Sequence, residues 1–426
     1  MITVYSTLKS SRLEYVLNFI FKNTLEIDFK WTQDSTNLDG LILNYSDQKL
    51  PQQNHQIHPS GFLVNGNWDF NKYIFLRNKS NCFFPQEKGD HGFDVLSAIF
   101  FLITRMEEYN SKDLDQHLRY ISDNSTLIKL GLEQQPVVDQ WCFSLLNQLN
   151  TRFNIELTSP RKFHQYCTFD IDNAYAFKYK GVGRSLGSFF KDLINLRFDK
   201  LKQRVYFLTG KINDPYDNYD YILKFLEKNQ LKSIFFFLLG DYAKMDKNIK
   251  HNHPNLISLI RSISKNHLIG IHPSYNSFNS LKTLKMEISR LDNIVTTTSM
   301  SRFHYLRFSL PESYQILLRA GIKQDFSMGF VDRIGFRAGT CTPFYFYDLE
   351  NELTTNLKIL PFAYMDGVLN DKLKYNTENS SKLISKIKQQ VKNVNGSFNA
   401  LWHNESLSNQ DRWNGWRRVF ESTWLD

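Results

Sequence analysis

The stretch Cys167-Thr168-Phe169-Asp170-Ile171-Asp172 ends an apolar, β-prone run with two carboxylates two positions apart. On a strand, residues i and i+2 point to the same face, so Asp170 and Asp172 are expected side by side. Two like charges placed so closely repel each other unless a cation or a shared proton lies between them. For this pair alone, a polar strand-to-loop turn is the simpler interpretation, because Asp is common in turns.

The chain of 426 residues is long enough for two or three domains, and its 42% of hydrophobic residues supply a sizeable core. The formal net charge is +9, but Lys and Arg form no basic stripe, so we predict no nucleic-acid partner. Four widely spaced cysteines indicate reduced thiols, and the N-terminus lacks a secretory signal, so we predict a cytoplasmic protein. The apolar runs are too short for a transmembrane segment, and no pattern indicates an oligomeric state.

The pattern of elements predicts two domains. Residues 1–160 are expected to form a smaller α+β domain of unassigned role, with strands at 41–45 and 62–64 and helices that begin near Asp94 and Pro136. Residues 161–426 alternate strands with helices, which predicts an α/β fold, a deformed (β/α) barrel of about seven strands. The predicted strands are 163–169, 233–239, 268–272, 302–308, 323–328, 359–363 and 398–403. The basic segment 178–219 is interpreted as a surface insertion or a cover over the mouth of a site.

Polar residues follow or end these predicted strands, where barrel enzymes place their chemistry. They are Asp170 and Asp172, then His272, Tyr275 and Asn276, then Arg302, His304, Tyr305 and Arg307, then Asp325 with the later Arg337, and finally Trp402, His403 and Glu405. Each has an ordinary structural explanation. Their coincidence on successive strand ends favours a metal-assisted hydrolytic site, with an acid and a base on opposite sides.

The order of these motifs resembles that of the polysaccharide deacetylases, a carbohydrate esterase group, over about residues 161–426. Thr168-Phe169-Asp170 with Asp172 resembles the family motif Thr-Phe-Asp-Asp, and His272 resembles the first histidine of His-x-x-x-His. Arg307 resembles the third motif of the family, Asp325 resembles the fourth, and Leu401-Trp402-His403 resembles the last. Asn276 stands where the second histidine is expected, and Ile171 separates the two carboxylates, so the chain looks like a divergent member.

The resemblance implies a metal-dependent hydrolase that removes an acetyl group from an amino sugar or a sugar ester. It implies that Asp172, His272 and the position of Asn276 hold a divalent metal, with zinc as the expected ion. Because Asn is a poor zinc ligand, His304, His267 and Glu405 are alternative third ligands. The implied roles are Asp170 as base, His403 as acid, Arg307 as the partner of Asp170, and Asp325 as the residue that orients His403. Tyr275, Tyr305, Arg337 and Trp402 are the predicted contacts of the sugar.

Two alternatives stay open. Asn276 favours a relative that binds carbohydrate without catalysis. A glycoside hydrolase would instead use a pair of carboxylates, Asp170 with Glu405 or Asp325. A chain without an export signal is expected to meet sugar intermediates that are linked to a lipid or to a nucleotide.

Overall fold

The computed structural model describes residues 1–77, 80–109 and 111–425. The strands are β1 (Ile2–Ser6), β2 (Phe29–Thr32), β3 (Leu41–Tyr45), β4 (His55–Ile57), β5 (Ile74–Arg77), β6 (Ser80–Phe83), β7 (His164–Ile171), β8 (Ser233–Phe237), β9 (Leu268–Ile271), β10 (Met300–Ser301), β11 (Gln324–Asp325), β12 (Phe344–Asp348), β13 (Leu353–Ile359), β14 (Tyr364–Met365) and β15 (Ser397–His403). The α-helices are α1 (Ser11–Leu17), α2 (Val95–Thr104), α3 (Met106–Tyr109), α4 (Thr126–Lys129), α5 (Val137–Phe153), α6 (Val182–Ile194), α7 (Phe198–Leu208), α8 (Tyr219–Lys228), α9 (Pro254–Ile263), α10 (Leu281–Asp292), α11 (Glu312–Arg319), α12 (Thr377–Asn393) and α13 (Trp416–Leu425).

The first region is built on a parallel sheet in the order β2-β1-β3-β4. Strands β1 and β3 are buried along their whole length, as is typical of parallel sheets that are covered on both faces. Parallel neighbours need crossover connections, so this region is of the α/β type and not the predicted α+β type. Residues 62–64 lie in a turn instead of the predicted strand. Helix α2 begins near Asp94 as expected, and Asp94 is its N-cap, because its carboxylate accepts the Ser97 N–H.

The second region confirms the α/β class. Its sheet has nine strands in the order β12-β13-β11-β10-β9-β8-β7-β15-β14, and only the β12–β13 pair is antiparallel. Within the described residues, the edge strands β12 and β14 do not pair with each other, so the sheet of nine strands is open, whereas a deformed barrel of about seven strands was expected. Helices α8 to α12 lie within three residues of the positions that the sequence pattern predicts, which are 219–228, 255–264, 280–291, 311–320 and 380–392.

The strands near the candidate site are shorter than predicted. Strand β10 ends at Ser301, and the predicted strand 302–308 is replaced by a 3-10 turn, His304–Leu306, in which Tyr305 has a φ of 60°. Strand β11 ends at Asp325. Beyond these ends, buried side chains make hydrogen bonds that strand backbones would otherwise make. For example, the Ser327 hydroxyl accepts the Phe303 N–H at 2.9 Å.

The two faces of the sheet carry different apolar clusters. Alternation along β8 places Phe235 and Phe237 in the main core, and Ile234 and Phe236 in a small cluster with Phe326 on the other face. Gly270 is required beside this cluster, because a Cβ there would lie 2.5 Å from the Phe236 ring.

The main core runs from the first sheet through the second without a break. Ion pairs also join the two regions: Arg337–Glu108 is buried, and in Arg12–Glu352 the arginine is buried and the glutamate is partly exposed. The division into residues 1–160 and 161–426 therefore stays a prediction. Over the described residues, no helix has the length and hydropathy that a bilayer crossing requires.

Candidate active site

Side chains from the carboxyl ends of neighbouring parallel strands meet in an open pocket of about 300 Å³. Asp170 is the last residue but one of β7, and Asp172 follows that strand. His272 follows β9, His304 lies just beyond β10, and His403 ends β15 opposite Asp170. Because these strands are parallel, their ends converge on one edge of the sheet.

Asp172, His272 and His304 form a group that could hold a metal ion. The Asp172 Oδ1 lies 3.0 Å from His272 Nε2, and its Oδ2 lies 3.4 Å from His304 Nε2. The three ligand atoms lie within 4.8 Å of one another. Two ligands of a tetrahedral zinc, each about 2.1 Å from the ion, are about 3.4 Å apart.

The hydrogen bonds of the two imidazoles support this interpretation. The Nδ1 of His272 contacts the Arg302 carbonyl at 2.5 Å, and because a carbonyl only accepts, Nδ1 carries the proton. His304 Nδ1 donates in the same way to the buried carboxylate of Asp246 at 2.8 Å. In the neutral rings, both Nε2 lone pairs therefore point at Asp172. Its buried Oδ1 accepts no hydrogen bond of good geometry from any described residue, so the residues present fit a cation.

The charges in this group shift two pKa values strongly. Burial alone would raise the pKa of Asp172, but the charge of His304 and the close contacts with the His272 and His304 imidazoles hold it well below its usual range. For His304, burial opposes the charged form, but the carboxylates of Asp172 and Asp246 prevail and raise its pKa to about 9. A proton and a metal ion therefore compete for the lone pair of His304 Nε2.

Asp170 is held by Arg302. The Arg302 Nη1 donates to Asp170 Oδ1 at 2.9 Å, while its Nε donates to the Phe326 carbonyl at the same distance. The guanidinium is fully buried and lies 4.7 Å from the centre of the Phe236 ring. The second oxygen of Asp170 lies 3.8 Å from His272 Nε2, beside the candidate metal ligands.

The expected pairing of Arg307 with Asp170 is wrong. Arg307 donates to the carbonyls of His117 and Tyr275 at 2.8 and 2.7 Å, and its guanidinium stacks on the Tyr275 ring. The cause is the 3-10 turn at His304–Leu306, which carries the chain away from the sheet before Arg307 is reached.

The partner of His403 also differs from the prediction. Asp366, which follows β14, accepts from His403 Nδ1 and from the His403 backbone N–H, both at 2.7 Å. Asp325 accepts instead from Ser301 and from the backbone and hydroxyl of Ser327, at 2.9 to 3.0 Å. Asp366 contacts His403 and Asp325 does not, because β14 is the direct neighbour of β15, whereas β11 lies five strands away from β15 in the sheet.

Among the expected metal ligands, Asn276 is exposed on the surface and lies outside the group that could hold a metal. Of the alternatives, His304 belongs to that group. His267 bonds to Ser233 Oγ at 2.7 Å, and Glu405 lines the pocket but pairs with Arg412.

Of the four predicted sugar contacts, one lines the pocket and three do not. Tyr305 lines the pocket. Tyr275 is half-buried, bonds to His117 and does not line it. Arg337 is committed to Glu108 through two hydrogen bonds. Trp402 is buried in the core and donates to Tyr364, because alternation along β15 points it away from Leu401 and His403.

A loop of the first region closes one side of the pocket. His117 and Arg119 both line it. His117 Nδ1 lies 3.0 Å from the Tyr275 hydroxyl, and Arg119 Nη1 donates to the Tyr305 carbonyl at 2.7 Å. Sequence reasoning found no site residue in residues 1–160, since neither side chain belongs to a recognisable motif.

Two further site residues, Asp246 and Asp366, were missed, and Arg302 was named among the strand-end residues but was given no role. Arg302 directly follows β10 and Asp366 directly follows β14, so strand-end position was a usable signal for both. Asp246 lies in the loop after β8, where no pattern marked it.

Comparisons with known proteins give three findings. Residues 2–154 match DUF7033, a family of unknown function. No curated protein matches this chain. Among solved structures, a crystal structure from Mycobacterium smegmatis, provisionally described as a polysaccharide deacetylase, is similar with a TM-score of 0.40 and 12% identity, over 63% of this chain and 87% of its own.

Proposed function

We propose that this chain is a metal-dependent hydrolase that removes an acyl group, most simply acetyl, from an amino sugar or a sugar ester. The observation that carries the proposal is the environment of Asp172. Two imidazole Nε2 atoms face it, a carboxylate held by Arg302 lies on one side, and an imidazole held by Asp366 lies on the other.

Asp172, His272 and His304 would hold the divalent metal, and zinc suits a set of one carboxylate and two imidazoles. When bound, such an ion lowers the pKa of a water molecule and polarises the carbonyl under attack. Asp246 and the Arg302 carbonyl fix the two rings so that both Nε2 atoms are available as ligands.

Asp170 would act as the base. Its ion pair with Arg302 orients the carboxylate and leaves Oδ2 beside the metal ligands. From that position it takes the proton of the attacking water. Arg302 itself is buried under aromatic rings and only positions Asp170.

His403 would act as the acid. Burial disfavours its charged form, but the neighbouring Asp366, Asp172 and Asp170 carboxylates outweigh burial and raise its pKa well above the usual range. These carboxylates therefore favour the protonated ring, which is the form that an acid requires. Its Nε2 lies 3.8 Å from Asp172 Oδ2, and from there it donates a proton to the leaving nitrogen or oxygen.

The pocket walls suit an acylated sugar. A small apolar cluster of Leu306 and Leu401, with Val331 and Met365 packed against it, lines the pocket and offers a place for an acyl methyl group. Tyr305 and Trp413 also line it and can pack against the apolar face of a sugar ring. On this proposal, residues 1–160 supply the wall with His117 and Arg119 to the hydrolase domain of residues 161–426.

The glycoside hydrolase alternative receives less support. Asp325 is enclosed by Ser301 and Ser327, and Glu405 is paired with Arg412, so neither stands as a free partner for Asp170. A cytoplasmic location remains a prediction.

The test is acetate release by purified protein, stripped of metal and then reloaded with zinc, from a panel of N- and O-acetylated amino sugars and oligosaccharides. We expect zinc-dependent release that Asp170→Asn and His403→Ala abolish and that Asn276→Ala leaves unchanged. Zinc binding without acetate release from any acetylated sugar would favour the carbohydrate-binding alternative. Absence of both would overturn the proposal.

A further inference from the structure

The chain carries a basic helical hairpin, residues 178–211, formed by α6, α7 and their flanking turns. These residues include nine Lys or Arg and two Asp, a net charge of +7 out of +9 for the whole protein. Most of the net charge therefore lies in one short segment, within the stretch 178–219 that the sequence analysis describes as basic.

The hairpin also exposes large apolar side chains around its tip. Ile194 is 80% exposed, Leu196 70% and Phe198 62%. At the same time, the charged pair Arg204–Asp192, with 3.1 Å between its atoms, is turned inward and shielded from solvent. Apolar groups outside and an ion pair inside are the reverse of what water alone favours, so the outer face is suited to a partner.

The hairpin lies beside the mouth of the pocket. The chain enters the hairpin a few residues after Asp172, and this entry is held by Asp214, which accepts the backbone N–H groups of residues 176–178. On α7, Gln203 donates to Asp411 at 2.9 Å, two residues before Trp413 of the pocket wall.

We propose that the hairpin docks this protein on a membrane surface that contains anionic lipids. A basic segment with an exposed apolar tip matches such a surface, because headgroups neutralise the charge while the apolar side chains enter the interface. A second copy of the chain is a poorer occupant, since two hairpins of charge +7 would repel each other. A nucleic acid would engage the charge but leave the apolar tip in water.

Docking through the hairpin would hold the pocket mouth near the headgroup layer. Together with the proposed function, on which this step rests, it points to an acylated sugar that is carried on a membrane lipid. Vesicle binding needs neither metal nor turnover, so failure of the docking proposal and failure of the hydrolase proposal are distinguishable.

The test is co-sedimentation of the full chain with vesicles of phosphatidylcholine, alone or mixed with phosphatidylglycerol. We expect binding only to the mixed vesicles, and weaker binding as NaCl is raised. The variant Ile194→Ser/Leu196→Ser/Phe198→Ser should bind at least about tenfold more weakly. Lys202→Glu/Lys211→Glu, at two exposed positions, should do the same.

The control variants carry substitutions of the same kinds at exposed positions outside the hairpin. Leu268→Ser/Leu353→Ser removes exposed apolar side chains at the starts of β9 and β13, and Lys282→Glu/Lys285→Glu reverses two exposed charges on α10. Both should bind like the unmodified chain. The proposal is overturned if the unmodified chain ignores anionic vesicles, or if the controls lose as much binding as the hairpin variants. A dimer that only the apolar hairpin variant dissociates would show that a second copy covers this face.

Discussion

Arg302 and Asp170 form an ion pair of 2.9 Å, shielded almost completely from solvent, between residues 132 positions apart in the chain. Removing one partner of such a pair leaves an uncompensated buried charge, which costs about 3–5 kcal/mol. We therefore expect Arg302→Met to lower the free energy of unfolding by that amount, and Asp170→Asn added to it to restore part of the loss. Urea unfolding of the single and double variants measures the coupling. Arg307→Met is the control, since Arg307 bonds elsewhere and its effect should add to that of Asp170→Asn.

Asp366 should control the protonation of His403. Replacement by Asn removes the charge that holds the ring, so the His403 pKa should fall and kcat should drop about a hundredfold or more. NMR titration of the imidazole and steady-state kinetics measure the two effects. Asp325→Asn tests the competing assignment and should leave the His403 pKa in place. An equal fall in both variants would contradict the Asp366 assignment.

The third metal ligand should be His304 and not Asn276. We expect His304→Ala to weaken zinc binding more than about a hundredfold, because it removes one of three ligand atoms. Asn276→Ala changes an exposed side chain outside that group and should bind zinc like the unmodified chain. Calorimetric titration of metal-free protein gives both affinities, and the reverse order would exclude the proposed ligand set.

Metal binding should also depend on pH. Metal-free His304 has its pKa raised to about 9, so at neutral pH the ring must release a proton before Nε2 accepts an ion. Zinc affinity should therefore rise about tenfold for each pH unit from 6 towards 9. Titrations at pH 7 in buffers of different ionisation enthalpy should report about one proton released per ion bound. A pH-independent affinity would show that His304 is already neutral in the metal-free protein.

Glu287 on α10 should make folding stability fall as pH rises. Burial raises its pKa from 4.5 to about 7, although its carboxylate accepts the Ser274 N–H at 2.9 Å. Between these values the folded state binds more protons than the unfolded state, so the free energy of unfolding decreases with pH, in total by about 3 kcal/mol. In Glu287→Gln this decrease should be absent. Urea unfolding at pH 5 and pH 8 compares the two proteins, and parallel pH profiles would contradict the prediction.

Local pattern determined much of this fold. The periodicity of apolar residues predicted the strands β7, β8, β9 and β15 and the five helices α8 to α12, because each of these elements follows from the pattern of one short segment. The sequence also predicted that Asp170, Asp172, His272 and His403 lie at strand ends. All four line one pocket, because the ends of parallel strands meet at one edge of the sheet.

Only the tertiary structure decided which partners these residues take. The choice of Arg302 over Arg307 depends on a 3-10 turn, and the choice of Asp366 over Asp325 depends on β14 lying beside β15. The inclusion of His304, the wall made by His117, and the apolar tip of a basic hairpin depend in the same way on how distant segments meet. The order of strands in the sheet and the paths of the loops decide which distant residues meet. The periodicity of a single segment predicts neither the strand order nor the loop paths.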